Sequence, residues 1–194
     1  MSLLRAFALT IFAFLVLPGI ASAQSGPSTG GTAYVPPPPT NMTVAGAKAE
    51  LLPDGTAAAP AGAPIEIQKA IWAANTIQDK PYKWGGGHAK IEDTGYDCSG
   101  TVSYALYHAG LLESPLPSGP FMRWGERGRG QWITIFANRG HAYAVIAGLR
   151  LDTSSYASRT ASRRKYVKAY ERGPRWRPTS RPARGFTKRH PVGF

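Results

Sequence analysis

Three stretches of the chain carry a regular pattern of apolar and polar positions. Ile65, Ile67, Ala70, Ile71, Ala74 and Ile77 recur at spacings of mostly three and four, which predicts an amphipathic helix. Asp79-Lys80-Pro81 ends it, because a proline ring disfavours helical backbone in the residue before it. A second helix is expected from Cys98 to about Leu112, with Val102, Ala105, Leu106 and Ala109 as its buried stripe and Asp97 as its N-cap. From Gln131 to Ala137 the period changes to strand-like alternation. A turn at Asn138-Arg139-Gly140 leads to a second strand, His141 to Ala147, and Gly148 turns into a third, Leu149 to Thr153. Helix first and antiparallel sheet after predicts an α+β domain, with the Cys98 helix packed on the sheet.

The remaining segments lack this texture. Arg5, the apolar run Ala6 to Leu17 and the small residues Ala21-Ser22-Ala23 read as a signal peptide over residues 1–23, so the exported chain begins at Gln24. The run is shorter than the roughly 20 residues a permanent membrane span needs, and no second run is long enough. Residues 24–64 read as a disordered leader. They hold Ser25 to Gly31, four consecutive prolines at Pro36 to Pro39, and an Ala/Pro/Gly tract from Ala57 to Pro64. A short strand or turn around Met42–Leu52 is the one piece expected to dock. The core is thus placed at residues 65–155, with an irregular Pro/Gly-rich loop at Ser114–Gly130. Residues 156–194 form a basic extension in which Gly185–His190 can close as an edge strand.

Charge sharpens that division. The net charge is +12, yet residues 24–155 carry ten basic and ten acidic side chains, whereas residues 156–194 carry twelve basic ones and a single acid, Glu171. The polycation belongs to the extension, where it would attract polyanions in a salt-sensitive way. Export argues against nucleic acid as the partner, leaving anionic wall polymers or lipid head groups.

Cys98 is the one cysteine in the chain, so it is either an inert buried thiol or a reactive one, and not half of a disulfide within the chain. A sulfur at a helix start meets unpaired backbone N–H groups and the positive end of the helix dipole, which favour the thiolate, the nucleophilic form. Such chemistry also needs an imidazole to carry the proton and a polar group to orient it. Of four histidines, His108 lies nearly three turns along the same helix, His88 in the glycine-rich loop and His190 in the basic extension. His141 opens a strand directly after a turn and is the candidate base. One cysteine and scattered histidines do not make a zinc site, so no metal or other cofactor is expected.

Tyr82-x-Trp84-Gly85-Gly86, then Asp97-Cys98-Ser99-Gly100, then Gly140-His141 opening a strand, resemble the NlpC/p60 peptidoglycan peptidases over roughly Ile65 to Thr153. The resemblance implies a papain-like fold with Cys98 as nucleophile and His141 as base and then acid. Asp152 falls at the family's third position, which more often holds His, Asn or Gln. It further implies that Tyr82 faces the nucleophile and that the Cys98 N–H helps hold an oxyanion, with Trp84 and Ser99 also candidates for substrate contact. Gly130-Gln131 stands where the family often has Gly-Asp. The expected activity is a secreted cysteine peptidase of the cell wall or periplasm, cutting an amide in peptidoglycan stem peptides, usually D-Glu-γ-diamino acid. Two alternatives stand beside it: an amidase or acyltransferase on the same dyad, and a wall-polyanion-binding protein using the basic extension.

Overall fold

The computed structural model describes residues 41–154, 173–177 and 181–194. The expected signal peptide and the leader up to residue 40 lie outside them, as does most of the polycationic run. Among the described residues, no helix is long and apolar enough to cross a membrane.

The first helix, α1, spans Ile65–Asn75, and the second, α2, spans Cys98–His108. They pack on each other through Ile67, Ala70, Ile71 and Ala74 on one side and Val102, Ala105 and Leu106 on the other, all buried. The end of α2 comes four residues earlier than the apolar pattern suggests. Gly110 takes a left-handed φ of 74°, and the Leu111 N–H turns back to the Leu106 carbonyl at 2.9 Å, which closes the helix before Leu112.

Residues 41–64 correct the disordered-leader expectation for the part of it that is described. Strands β1 (Thr43–Val44), β2 (Glu50–Leu51) and β3 (Ala57–Pro60) form a small sheet in the order β1-β3-β2. Its centre is the Ala tract itself. Ala57, Ala58 and Ala59 are fully buried, small enough for the strand to lie close against α1. The buried Asn75 amide completes the fit by donating to the Ala57 carbonyl at 2.8 Å and accepting from its N–H at 2.9 Å. The same Asn75 oxygen accepts from Trp176 Nε1 at 2.8 Å, so one amide joins three segments.

The larger sheet is antiparallel and has six strands. The loop Ser114–Gly130 contains a short helix, α3 (Ser118–Phe121), and strand β4 (Glu126–Arg127). The meander follows as β5 (Ile133–Asn138), β6 (His141–Ile146) and β7 (Leu149–Leu151), and the extension adds β8 (Trp176–Arg177) and β9 (Thr187–His190). The order is β4-β9-β5-β6-β7-β8. The expected closing strand is therefore interior, since β9 lies between β5 and the two-residue β4. The β6–β7 turn places Ala147 at φ 46° and Gly148 at φ 85°, the pair of positive values that matches strand twist in a two-residue hairpin.

Pairing of β6 with β7 sorts the side chains by face. Ala142, Ala144, Ile146, Leu149 and Leu151 join the core with the helices. The alternate positions, His141, Tyr143, Arg150 and Asp152, share the other face. Tyr143 stacks there on Phe136, with ring centroids 4.6 Å apart, and Phe186 meets it edge-on at 5.2 Å.

Candidate active site

Asp97 fixes where the cysteine helix begins. Its backbone is extended, and its Oδ1 accepts the Gly100 N–H at 2.7 Å, a side-chain N-cap. The same oxygen accepts from Ser99 Oγ at 3.1 Å and His88 Nε2 at 3.0 Å, while Oδ2 accepts the Gly85 N–H at 3.1 Å. Burial works against this carboxylate's charge, but the His88 and Gly100 hydrogen bonds prevail and hold its pKa below the ordinary value. The glycine loop approaches so closely that a Cβ on Gly100 would overlap the Gly86 carbonyl oxygen. Gly86 in turn accepts the Asp97 N–H at 3.2 Å.

Cys98 therefore occupies the first position of α2, where backbone N–H groups have no acceptor within the helix. It lines a cleft of about 340 Å³. Tyr82, Trp84 and His88 of the glycine-rich loop, Ser99 of α2, and Pro117, Ser118, Arg139 and Gly140 also line it. Burial first, then the neighbouring Cys98 and Asp97, pushes the Tyr82 phenol pKa upward. Trp84 is 86% exposed on the rim. Ser99 is buried, with its hydroxyl in the Asp97–His88 network.

His141 is brought to Cys98 by the β5–β6 turn, where the Asn138 side chain accepts the Gly140 N–H at 2.9 Å. His141 Nε2 donates to Asp152 Oδ1 at 2.9 Å, which leaves Nδ1 as the ring's second nitrogen. Burial alone would lower this imidazole's pKa. The Asp152 hydrogen bond and then the Cys98 interaction outweigh it and push the value up to about 9.

Asp152 has a fully buried side chain. Oδ1 also accepts the Ser154 N–H at 2.8 Å; Oδ2 accepts Arg150 Nη1 at 3.2 Å and Arg181 Nη1 at 3.1 Å. Burial raises its pKa, but His141, then the Ser154 N–H and the Arg150 charge, hold the carboxyl below its ordinary value. Arg181 Nη1 also lies 3.3 Å from His141 Nε2. Both atoms donate, so this approach is two donors converging on one carboxylate. The Arg181 guanidinium sits over the Tyr143 and Phe186 rings at 5.4 and 5.2 Å, which fixes its direction.

The structure thus gathers Cys98, His141 and Asp152, and places Tyr82, Trp84 and Ser99 around the same cleft. The other histidines part ways: His108 bonds Glu92 at 3.0 Å, and His190 lies 3.7 Å from Glu126. Sequence reading missed His88, Arg150 and Arg181. Arg150 had a signal, since it precedes Asp152 by two on a strand and so shares its face. Arg181 had none, being one arginine among many. Among the described residues, no group of three or more His, Cys, Asp or Glu side chains is placed to hold a metal ion.

No protein-family model and no curated protein matches the chain. Among solved structures, it is similar to the peptidoglycan hydrolase RipB from Mycobacterium tuberculosis, with 18% identity and a TM-score of 0.47. The likeness covers 67% of this chain and 66% of RipB.

Proposed function

We propose that this protein is an exported cysteine peptidase that hydrolyses an amide bond in the stem peptides of peptidoglycan, with D-Glu-γ-diamino acid as the bond. The observation that carries the reaction class is one constellation: a lone thiol at a helix start, beside an imidazole whose far nitrogen is held by a buried carboxylate. What directs it to peptidoglycan is the likeness of Tyr82-x-Trp84-Gly85-Gly86, Asp97-Cys98-Ser99-Gly100 and Gly140-His141 to the NlpC/p60 motifs. The apolar run before Ala21-Ser22-Ala23 supports export.

The steps follow from these groups. The Cys98 thiolate attacks the amide carbon, and the carbonyl oxygen takes the negative charge within reach of the unpaired N–H groups at the start of α2. His141 delivers its proton to the leaving nitrogen, the C–N bond breaks, and a thioester to Cys98 remains. Water then attacks the thioester while His141 accepts its proton, and the acid product leaves the regenerated thiol. Asp152 keeps the ring oriented and stabilises it while protonated, as a triad carboxylate does. Arg150 and Arg181 keep Asp152 ionised and fixed in place.

Digestion of purified peptidoglycan by the wild-type and Cys98→Ala proteins, with mass spectrometry of what is released, tests this directly. Fragments ending at a γ-D-Glu bond with wild type alone are expected. Fragments cut elsewhere would revise the bond, and release of nothing by wild type across several wall types would overturn the reading.

A further inference from the structure

Beside the cysteine cleft lies a second, larger cavity of about 540 Å³, and the two share Arg139. Arg123, Arg127 and Arg189 also line it, while among the described residues no acidic side chain does. Among the described residues, none of these four arginines is in an ion pair with an acid. The sheet itself concentrates the charge. Arg127 on β4 sits directly opposite Arg189 on β9, an arrangement that like charges disfavour on one face. The neighbouring pair, Glu126 and His190, falls on the opposite face and leaves the arginines unneutralised. Arg189 is held in place by donating from Nε to the Met122 carbonyl at 2.8 Å, so its terminal nitrogens remain as donors. Ser118 Oγ donates to the Arg139 carbonyl at 3.3 Å, tying the β5–β6 turn to α3 where the two cavities meet.

A guanidinium cluster without counter-charge, in a cavity adjoining a nucleophile, suits planar oxyanions. We propose that this cavity is a subsite for the anionic groups of the wall strand being cut, holding a carboxylate or phosphodiester while the neighbouring peptide bond lies over Cys98. The inference rests on the peptidoglycan reading for its substrate. Three of its four arginines come from residues 24–155, whose overall charge is balanced, so it is distinct from attraction by the polycationic run.

The test uses the full chain carrying Cys98→Ala, so that binding is read without turnover. Three wall preparations are compared: one with its phosphate polymers, one stripped of them, and one stripped and then amidated at its stem carboxylates. Arg123→Gln with Arg127→Gln, both exposed, is set against Arg163→Gln with Arg164→Gln, which removes the same charge from the polycationic run of the sequence. The first pair is expected to weaken binding by about tenfold or more, the scale of one or two charge-assisted hydrogen bonds, and the control pair far less. If amidation erases that difference the ligand is a carboxylate, and if stripping erases it a phosphodiester. Equal losses for the two pairs on every wall overturn the proposal. Cys98 alkylation at the wild-type rate, in the first pair with the thiol restored, shows that the fold is intact. Should wild type release no fragments while the pair-specific loss persists, the hydrolase reading fails and the subsite stands. Fragment release with equal binding losses gives the reverse.

Discussion

Two histidine–aspartate pairs flank the single cysteine, and by distance they are nearly alike: His88 to Asp97 at 3.0 Å and His141 to Asp152 at 2.9 Å. What separates them is how the rest of each pair is occupied. Asp97 is given over to backbone, capping α2 through Gly100 and holding Gly85. His88 has its second nitrogen, Nδ1, buried with no hydrogen-bond partner. Asp152 is sealed beneath two arginines, and the imidazole it orients is one whose acidity Cys98 also influences. A histidine–carboxylate contact is therefore weak evidence of a base. The stronger evidence is whether the cysteine also acts on the ring.

The widest gap between the pairs should appear in turnover. His141→Ala is expected to lower peptidoglycan hydrolysis by about 10³- to 10⁴-fold, the range of general acid–base catalysis, whereas His88→Ala should cost less than about fivefold. Single-turnover rates on a soluble stem-peptide fragment measure both. Equal losses would erase the distinction.

The carboxylates should differ next. Asp152→Asn keeps the shape but removes the anion facing buried Arg150, and is expected to cost about 3 kcal/mol or more of stability along with most activity. Asp97→Ala removes a cap and is expected to cost about 1–2 kcal/mol, with a smaller effect on rate. Urea unfolding of the two variants gives the comparison.

Acidity offers a finer division. His141 has a folded-state pKa of about 9, above its unfolded value of about 6.5, so its contribution to stability is full below 6.5 and is lost as pH rises through 9. Asp152 is held below its ordinary value, so its contribution is present above about 3.9 and is lost as pH falls through the folded value. Urea midpoints should form a plateau between these limits. The alkaline limb of activity should lie near 9, where the leaving nitrogen loses its proton donor. Asp152→Asn should move that limb to lower pH and Arg181→Gln to higher pH, because one removes an anion beside the imidazolium and the other a cation. Shifts in the same direction would contradict the assignment of Arg181 to this cluster.

The meander and the cysteine helix were legible because burial there is written in Ile, Val and Leu at regular period. The Ala57–Pro60 strand was not. Its burial depends on small side chains lying close to α1 and on the Asn75 amide, and neither leaves a hydrophobic period. Trp176 and Thr187–His190 were obscured by the charge around them, although Trp176 reaches the core and β9 fills the gap between β4 and β5. At the candidate site, motif order pointed to Cys98, His141 and Asp152 as the residues to examine. Arg181 reaches Asp152 from 29 residues away, a contact that only the folded chain defines.

The most direct test of the central claim is the pH profile of Cys98 alkylation in wild type, His141→Ala and His88→Ala. With one cysteine in the chain, the label reports a single site. Wild type and His88→Ala should react readily at pH 6, while His141→Ala should react only in alkaline solution, as an ordinary thiol does. Loss of the reaction at pH 6 in His88→Ala, with His141→Ala unchanged from wild type, would assign the thiol to the other pair and contradict it.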